Sequence, residues 1–258
     1  MPDHDTLARM YGPEYSGAGA DDAGLEDPKQ PERLLAVLKR RAPGRFIDFG
    51  CGSGSLLMEA RALGWSAVGV EFQADIVRKV SAETSCKVHL GLAGLQSEGC
   101  PPADVIHLGD VVEHLTTADA VLQELVALLA PGGWLVSQGP LEAGPCLFAA
   151  TLSAARRLRS ARPVSMPPYH VLQATVGGQL ALFERVGLRA LEYVVTEVDW
   201  PAPSRLSWQV AGNPRSLGLF ALRRLSRAAS GLAGGRLGNR YFYIGEPSAR
   251  PSSITSRP

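Results

Sequence analysis

The sequence predicts an α/β fold with a doubly wound, mostly parallel sheet of seven strands and helical insertions. Short apolar runs alternate with stretches of helical periodicity between residues 45 and 138. Glycines at alternate positions follow the first run, and an acidic residue ends the second: Gly50, Gly52, Gly54 and Glu71. A strand that leads through a glycine turn into a helix, with an acid at the end of the next strand, is typical of nucleotide-binding α/β proteins.

The first five strands are predicted from short apolar runs bounded by polar or glycine-rich turns. They cover residues 46–49, 67–70, 87–90, 103–108 and 134–137. The helices between them are predicted from apolar residues at intervals of three and four. One helix opens at Pro31, and the others cover residues 56–63, 75–82 and 118–129. Glycine or proline ends three of them, at Pro43-Gly44, Gly64 and Pro131-Gly-Gly.

The second half of the chain predicts insertions around the last two strands. A basic helical stretch covers residues 147–162, and a further helix covers residues 176–186. The sixth and seventh strands are residues 188–198 and 240–244. Between them, leucines and arginines interleave over residues 216–237, which predicts a basic amphipathic segment. We expect this segment to pack on its own domain; the alternatives are contact with an anionic membrane surface and a cover over an apolar substrate.

The composition is that of a globular protein that buries a core, with 258 residues, 45% hydrophobic and 20% charged. The net charge of +1 supplies no overall field that would attract nucleic acid. Four cysteines without Cys-x-x-Cys spacing predict neither a zinc site nor a disulfide framework, and we expect no metal. The N-terminus lacks the apolar run of a secretory signal, and no apolar stretch reaches the roughly 20 residues of a membrane span. We therefore expect a cytoplasmic protein.

The expected organisation is one domain with flexible ends. Residues 1–30, rich in Gly, Asp and Pro, predict a mobile N-terminal arm, and residues 247–258, rich in Pro, Ser and Arg, predict a disordered tail. The domain covers residues 31–246. It carries a substrate-side insertion at residues 139–170 and a second insertion, between the last two strands, at residues 201–239.

The spacing of the glycines can be compared with the known motifs that bind dinucleotides and nucleoside triphosphates. A dinucleotide fingerprint requires Gly-x-Gly-x-x-Gly, and Ser55 occupies the position of its third glycine. A P-loop requires a Gly-Lys-Ser/Thr ending, and no lysine lies between Lys39 and Lys79. A tight turn that binds no ligand remains the structural alternative. The glycines alone therefore favour a nucleotide-like ligand without identifying it.

The motif Asp48-Phe-Gly-Cys-Gly-Ser-Gly54 resembles the first motif of class I S-adenosylmethionine-dependent methyltransferases, near the branch of the ubiquinone-biosynthesis O-methyltransferases. The resemblance implies a Rossmann-like sheet with an antiparallel last strand and S-adenosylmethionine as cofactor. The implied cofactor-binding residues are Asp48, Gly50, Cys51, Gly52, Gly54, Glu71, Phe72 and Asp110. Among them, the loop backbone and Asp48 hold the methionine end, and Glu71 accepts hydrogen bonds from both ribose hydroxyls.

Two later motifs occur in the order found in this family. Gly109-Asp-Val-Val-Glu-His-Leu115 is similar to its Asp-x-Leu-Glu-His motif, and Leu129-Ala-Pro-Gly-Gly-Trp-Leu-Val136 is similar to its fifth-strand motif. In the strand order of the family, the first and fourth strands flank the topological switch point. Asp110, Glu113 and His114 are therefore expected near the transferred methyl group.

The third strand is followed by Gly91-Leu-Ala-Gly94, where relatives often place an acid that holds the adenine amino group. No side chain of this stretch could do so. Adenine would be held by backbone groups and apolar contacts, or by Gln96 or Glu98. The adenine end is the part of the site that the resemblance leaves open.

A histidine is the expected general base, because an oxygen or nitrogen acceptor loses a proton when it is methylated. Pro168-Tyr-His170 is similar to a Pro-x-His element of this branch, which makes His170 the preferred candidate and His114 the second. A structural role is the alternative for both. Near the N-terminus, Tyr11-Gly-Pro-Glu-Tyr15 resembles an aromatic motif that can lie over the cofactor, with a disordered tail as the alternative.

The sequence as a whole predicts a methyltransferase that acts on an oxygen or nitrogen of a small molecule, with lipid- and glycan-linked acceptors among the options. No nucleic-acid partner is expected, membrane contact through residues 216–237 is not favoured, and the oligomeric state is open. One alternative is a catalytically inactive methyltransferase-like protein that serves for binding or as a scaffold. A nicotinamide-dependent oxidoreductase is less favoured because of Ser55.

Overall fold

The structure, a computed structural model, describes residues 30–97, 99–144, 146–158, 170–198, 206–234 and 236–248. The chain forms two compact units. The first, here called the sheet unit, contains residues 31–139 and 177–193 and the chain from residue 242 onward. The second, here called the insertion unit, consists chiefly of residues 140–176 and 194–241.

The described residues contain alternating strands and helices along the first half of the chain and mainly helices between the last strands. The helices are α1 (Gln30–Lys39), α2 (Ser55–Ala62), α3 (Ala74–Thr84), α4 (Gly91–Ser97), α5 (Ala118–Ala127), α6 (Leu147–Leu158), α7 (Val176–Arg185), α8 (Trp208–Ala211) and α9 (Pro214–Leu232). The strands are β1 (Arg45–Phe49), β2 (Ser66–Glu71), β3 (Lys87–Leu90), β4 (Ala103–Gly109), β5 (Leu129–Pro140), β6 (Leu188–Thr196) and β7 (Arg240–Pro247). A short 3₁₀ helix covers Val112–His114.

The strands form one seven-stranded sheet in the order β3-β2-β1-β4-β5-β7-β6. Strand β1 pairs in parallel with both β2 and β4, β2 with β3, and β4 with β5. One strand of the sheet is antiparallel, so the predicted mostly parallel Rossmann-like sheet is confirmed. The strand order reverses between β1 and β4, which is where open α/β sheets bind their ligands.

The central strands of the sheet unit consist mainly of apolar residues because both of their faces are buried in its core. Phe46, Ile47 and Phe49 of β1 are fully buried, and so are Ile106 and Leu108 of β4. Helices cover both faces of a parallel sheet, so its central strands need apolar residues on both sides. The helices contribute further fully buried side chains, including Leu34, Leu38, Leu57, Leu122 and Leu125.

Strand β5 differs from the prediction at its beginning. The sequence predicts a break at Pro131-Gly-Gly and a strand from residue 134, whereas the strand already begins at Leu129. Ala103 pairs with Leu129 and Val105 pairs with Trp134, so a bulge accommodates the extra residues of β5. Gly132 has a φ of +71°, a conformation that glycine adopts readily.

In the insertion unit, helices α6 and α9 are joined by buried polar contacts. The backbone N–H of Phe148 donates to Oγ of Ser226 at 2.9 Å. The Arg223 guanidinium lies over the Phe148 ring, with its carbon 3.7 Å from the ring centre. Arg223 belongs to the predicted basic amphipathic segment, but this residue is only 1% exposed.

Some predicted features lie outside the described residues. These are the Tyr11-Gly-Pro-Glu-Tyr15 motif, the terminal segments 1–29 and 249–258, Glu98 and residues 159–169 with the prolines before His170. Among the helices of the described part of the chain, none is long and apolar enough to cross a lipid bilayer.

Candidate cofactor site

The glycine turn joins the carboxyl end of β1 to helix α2. The backbone N–H groups of Gly50 and Cys51 both donate to the carbonyl oxygen of Val70 on β2, at 2.8 and 3.1 Å. Gly54 N–H donates to the carbonyl oxygen of Cys51 at 2.8 Å, which closes the turn. The turn is therefore fastened to the neighbouring strand at the switch point.

All three glycines of the turn have positive φ angles, +83° at Gly50, +48° at Gly52 and +75° at Gly54. At Gly54 a Cβ atom would lie 2.5 Å from Cγ1 of Val80, so the helix α3 side chains leave no room for it. At Gly52, by contrast, a Cβ atom would meet nothing within 4 Å. The middle glycine therefore faces open space, as expected of a turn that a ligand approaches closely.

Alanine substitutions at these two glycines are expected to have different effects on stability. Gly54→Ala should lower the free energy of unfolding by about 2–4 kcal/mol, because the new methyl group overlaps Val80 and the residue is also strained at a φ of +75°. Gly52→Ala should cost only about 1 kcal/mol, the strain of a non-glycine residue in the left-handed region. Urea unfolding of both variants measures the difference; equal losses would mean that the packing at Gly54 does not limit the turn.

Helix α2 begins at Ser55 without a side-chain cap, because its N-cap residue is Gly54. The first N–H groups of a helix lack partners within the helix and carry a partial positive charge. A helix end that starts directly at a glycine turn suits a polar or anionic ligand group. This arrangement agrees with the predicted role of the loop backbone.

Glu71 lies at the carboxyl end of β2, as predicted, and its side chain reaches the glycine turn. Its Oε2 accepts a hydrogen bond from Gly52 N–H at 3.1 Å, and its Oε1 accepts one from Phe72 N–H at 2.6 Å. A carboxylate has about four acceptor positions, so each oxygen retains capacity for a second donor. Glu71 can therefore hold the turn and accept two hydroxyl groups together.

Two exposed apolar side chains lie at the same edge of the sheet. Phe72 directly follows β2, is 53% exposed and packs edge-on against Phe49 with the ring centres 5.3 Å apart. Leu90 ends β3, pairs with Glu71 in the sheet register and is 51% exposed. Sequence reasoning did not single out Leu90; an apolar residue ending a strand beside the acid of the next strand is the signal for it.

Residues 91–97, the described residues that follow β3, include no acid. Residues Gly91–Ser97 form helix α4. Gln96, one of the two predicted substitutes, is exposed, and its Nε2 donates to Oε2 of Glu124 on α5 at 2.9 Å. Among the described residues at the carboxyl ends of β2 and β3, Phe72 and Leu90 thus expose apolar side chains where an acid was sought.

Asp48 is part of a buried polar chain across three central strands. The ring nitrogen Nδ1 of His107 on β4 lies 2.7 Å from Oδ1 of Asp48, and Nε2 of His107 lies 3.0 Å from Nε2 of Gln138 on β5. Because an amide nitrogen donates, His107 Nε2 is the acceptor and His107 Nδ1–H donates to Asp48. All three side chains are at most 3% exposed. His107 and Gln138 are not predicted from the sequence, although a polar residue inside an apolar strand is a usable signal.

The segment after β4 contains the next group of predicted residues. Asp110 has a φ of +53°, rare for a residue other than glycine, and its N–H donates to the carbonyl of Gln138 at 2.9 Å. Glu113 is 5% exposed and belongs with His114 to the 3₁₀ helix. Asp48, Gly50, Cys51, Gly52, Gly54, Glu71, Phe72, Asp110 and His114 all belong to the sheet unit. Their contacts with a cofactor stay predictions.

His170 belongs to the insertion unit and contacts a carboxylate of that unit. Its Nδ1 lies 2.6 Å from Oε1 of Glu142. When Nδ1–H donates to the carboxylate, Nε2 is the nitrogen that can accept a proton, so Glu142 orients the ring. Glu142 is not predicted as a site residue from the sequence. The catalytic roles of His170 and His114 stay predictions.

The thiol of Cys51 lies beneath the glycine turn and is 7% exposed. Burial, together with the nearby carboxylates of Asp48 and Glu71, raises its pKa to about 12.

Because the thiolate is the reactive form, iodoacetamide should modify the part-exposed Cys100 well before Cys51 at mildly alkaline pH. Peptide mass spectrometry measures the order, and earlier labelling of Cys51 would contradict it. The ordinary pKa of a cysteine thiol is 9.0, so between pH 9.0 and about 12 only the unfolded chain loses this proton, and the free energy of unfolding should fall as the pH rises.

A family model described as a methyltransferase domain matches residues 26–192. A ubiquinone biosynthesis O-methyltransferase of Caulobacter sp. (strain K31) is 30% identical over 118 residues, which cover 41% of this chain and 47% of that relative. A trans-aconitate 2-methyltransferase of Methylobacterium nodulans is 28% identical over 183 residues, which cover 65% of this chain and 70% of that relative.

A solved structure is similar over nearly the whole chain. It is magnesium protoporphyrin IX methyltransferase from Synechocystis PCC 6803 with bound SAH, with a TM-score of 0.59 and 13% identity, covering 95% of this chain and 100% of that one. At this identity the similarity shows the fold.

Proposed function

Because this chain belongs to the methyltransferase-domain family, we propose that it transfers a methyl group from S-adenosylmethionine to an oxygen or nitrogen of a small-molecule acceptor. The observation that carries the proposal is the joint placement of the glycine turn and Glu71 at the switch point, with the Gly52 N–H donating to the Glu71 carboxylate at 3.1 Å. This pairing supports a ligand that has both a polar end and a ribose.

Different residues of the sheet unit would bind the different parts of the cofactor. The backbone of Gly50, Cys51, Gly52 and Gly54 and the start of α2 would hold the methionine end, and Glu71 would accept hydrogen bonds from the two ribose hydroxyls. Phe72 and Leu90 would contact the faces of adenine, since both expose apolar surface beside Glu71. Asp48, bonded to His107, would act by stiffening the start of the turn, and Asp110 would lie at the neighbouring strand end.

The bound cofactor supplies an electrophilic methyl group on a sulfonium, a good leaving group. Most of what the protein must then provide is alignment and exclusion of water, for which about 7–11 kcal/mol is available from positioning alone. An acceptor oxygen or nitrogen that takes up this methyl group would lose its proton, and a base of this chain would accept that proton. His170 is the first candidate for this base because Glu142 orients its ring, and His114 is the second.

The acceptor is proposed only as a class. The chain contains no Asn-Pro-Pro-Tyr or Asp-Pro-Pro-Tyr element, which disfavours amino-methylation of bases or glutamine, and its near-neutral charge disfavours a nucleic-acid substrate. A small molecule, with lipid- or glycan-linked compounds included, is the proposed substrate. The cytoplasmic location stays a prediction from the sequence.

Isothermal titration calorimetry with S-adenosylhomocysteine tests the cofactor assignment. We expect one binding site per chain, and the absence of binding would overturn the proposal. Titration with NADH, followed by its fluorescence, is the control for the nicotinamide alternative; a fluorescence change without binding of S-adenosylhomocysteine would favour that alternative.

The base assignment requires an acceptor that supports turnover. His170→Ala should then lower kcat. His170→Gln should keep a hydrogen bond to Glu142 but should have a similarly low kcat, because an amide does not accept the proton. Full turnover by both His170→Ala and His114→Ala would overturn the assignment. Cofactor binding with no turnover on any acceptor would favour the non-catalytic alternative, a binding protein of the same fold.

A further inference from the structure

Helix α9 carries apolar side chains on the outside of the insertion unit. Leu217, Leu225 and Leu232 are 41%, 64% and 91% exposed, and Ala221 and Ala228 are exposed as well. These five residues follow one another at intervals of four, four, three and four, so they lie along one face of the helix. We call this face the apolar stripe.

The opposite face of α9 attaches the helix to its unit through polar groups. Arg223, Ser226 and Ser230 are 1%, 1% and 6% exposed. Nη1 of Arg223 donates to the carbonyl of Val198 at 3.1 Å, and Oγ of Ser226 accepts from the Phe148 N–H at 2.9 Å. A surface helix ordinarily turns its apolar face inward. Here the helix cannot bury its leucines by rotation without breaking these buried bonds.

Basic side chains lie beside the apolar stripe. Arg224 and Arg227 are exposed and stand one position before Leu225 and Ala228. One position corresponds to about 100° around a helix, so both arginines border the same side of the stripe. The exposed surface of α9 is therefore an apolar centre with a basic margin.

The charge of the surrounding segment has a single sign. Arg215 and Arg236, at the start of α9 and just beyond its end, are exposed. The sequence contains no aspartate or glutamate between Asp199 and Glu246. The segment therefore carries only positive side-chain charges and complements an anionic surface.

Helix α8 adds an aromatic residue to the exposed surface. Trp208, its first residue, is 94% exposed, and Leu206 just before it is 60% exposed. Helices α8 and α9 contact each other. Tryptophan is enriched at the boundary between lipid headgroups and acyl chains because its ring is apolar and its N–H is polar.

The sequence alone favours packing of residues 216–237 on their own domain over membrane contact, whereas the structure exposes Leu217, Leu225 and Leu232 of this segment. We propose that the apolar stripe, its flanking arginines and Trp208 dock the protein on an anionic lipid bilayer. The leucines and the indole would enter the boundary region while the guanidinium groups stay among the lipid phosphates, as in an amphipathic helix that lies in the plane of a membrane. A second copy of the chain is a poorer occupant, because a two-fold contact through this face would bring two sets of arginines together. The inference goes beyond the proposed function, since docking requires neither cofactor nor methyl acceptor.

Vesicle sedimentation tests the proposal on the full chain without cofactor. We expect the protein to bind vesicles of phosphatidylcholine and phosphatidylglycerol, to bind phosphatidylcholine vesicles much less, and to dissociate as salt is added. Arg224→Gln/Arg227→Gln should weaken binding about 25-fold, at about fivefold per arginine. Leu225→Ser/Leu232→Ser should weaken it about tenfold or more, because apolar burial is lost.

Matched controls remove the same kinds of group from the sheet unit. Lys39→Gln/Lys79→Gln deletes two exposed charges, and Leu191→Ser deletes a leucine that is 42% exposed; both should bind vesicles as the wild type does. Far-ultraviolet circular dichroism checks that the variants fold. If the double leucine variant does not, Trp208→Ser provides the apolar test.

Three results would overturn the proposal. They are no binding to anionic vesicles at low ionic strength, equal binding by the wild type and both double variants, and loss of binding in the controls as large as in the variants. A dimer that Leu225→Ser/Leu232→Ser dissociates, without vesicle binding, would assign the face to a second copy of the chain.

Discussion

Glu71→Ala is expected to weaken the binding of S-adenosylhomocysteine at least about 100-fold. Two hydrogen bonds from ribose hydroxyls to a carboxylate are each worth about 1.5–3 kcal/mol, and tenfold in affinity corresponds to about 1.4 kcal/mol. The substitution also removes the acceptor of the Gly52 N–H and Phe72 N–H, so the glycine turn loses its contact with the end of β2. Calorimetry of both proteins under the same conditions measures the change.

Two further variants make this result specific. Glu71→Gln keeps one acceptor oxygen and loses the charge, so it should bind more tightly than Glu71→Ala but about tenfold more weakly than the wild type. Glu83→Ala removes an exposed carboxylate from α3 and should leave binding unchanged. Unchanged binding by Glu71→Ala would mean that the ribose is held elsewhere, and the cofactor assignment would fail with it.

His107→Leu is expected to lower the free energy of unfolding by about 3 kcal/mol. The histidine is the donor to Oδ1 of Asp48, and the leucine side chain cannot replace this donor in a region where water does not reach. For a chain of this size the loss corresponds to a melting midpoint roughly 6–12 °C lower. Thermal unfolding followed by circular dichroism measures it.

The double variant Asp48→Leu/His107→Leu separates this effect from simple loss of packing. Because it removes donor and acceptor together, it leaves no buried carboxylate without a partner, and it should recover part of the lost stability. His107→Gln, whose amide nitrogen can donate, should also lose less than His107→Leu. A His107→Leu protein as stable as the wild type would show that the Asp48 contact contributes nothing to the fold.

The short strands of the sheet unit could be predicted from their position between turns, and β1 also from the burial of Phe46, Ile47 and Phe49. Phe46–Phe49 and Lys87–Leu90 were found to within one residue, since short apolar runs between glycines and turns have few alternatives. The start of β5 was missed because Pro131-Gly-Gly ordinarily breaks a strand, and only pairing with β4 carries the strand across it. His107 was missed because its partners are 59 and 31 positions away in the sequence.

Helix α9 shows a different limit. The periodicity of its sequence defines a leucine face and a face with Arg223 and Ser226, but it does not define which of them points inward. The direction depends on Val198 and Phe148, which are distant in the sequence and accept or donate the bonds of the polar face. The sequence predicted an amphipathic segment over residues 216–237, and it left open the orientation of the helix that the structure has at Pro214–Leu232.

The chain passes from one unit to the other four times between residues 139 and 242. No continuous fragment therefore encodes either unit, and a C-terminal truncation at any position between residues 140 and 240 removes part of both. Separation of the two units by genetic engineering requires an internal excision instead. Strands β6 and β7 are neighbours in the sheet, so the segment between them is the natural one to replace by a short turn. The same interleaving means that the sheet is complete only when the long segment between β6 and β7 has brought its ends together. We therefore expect this sheet to form more slowly than one whose strands follow one another directly in the sequence.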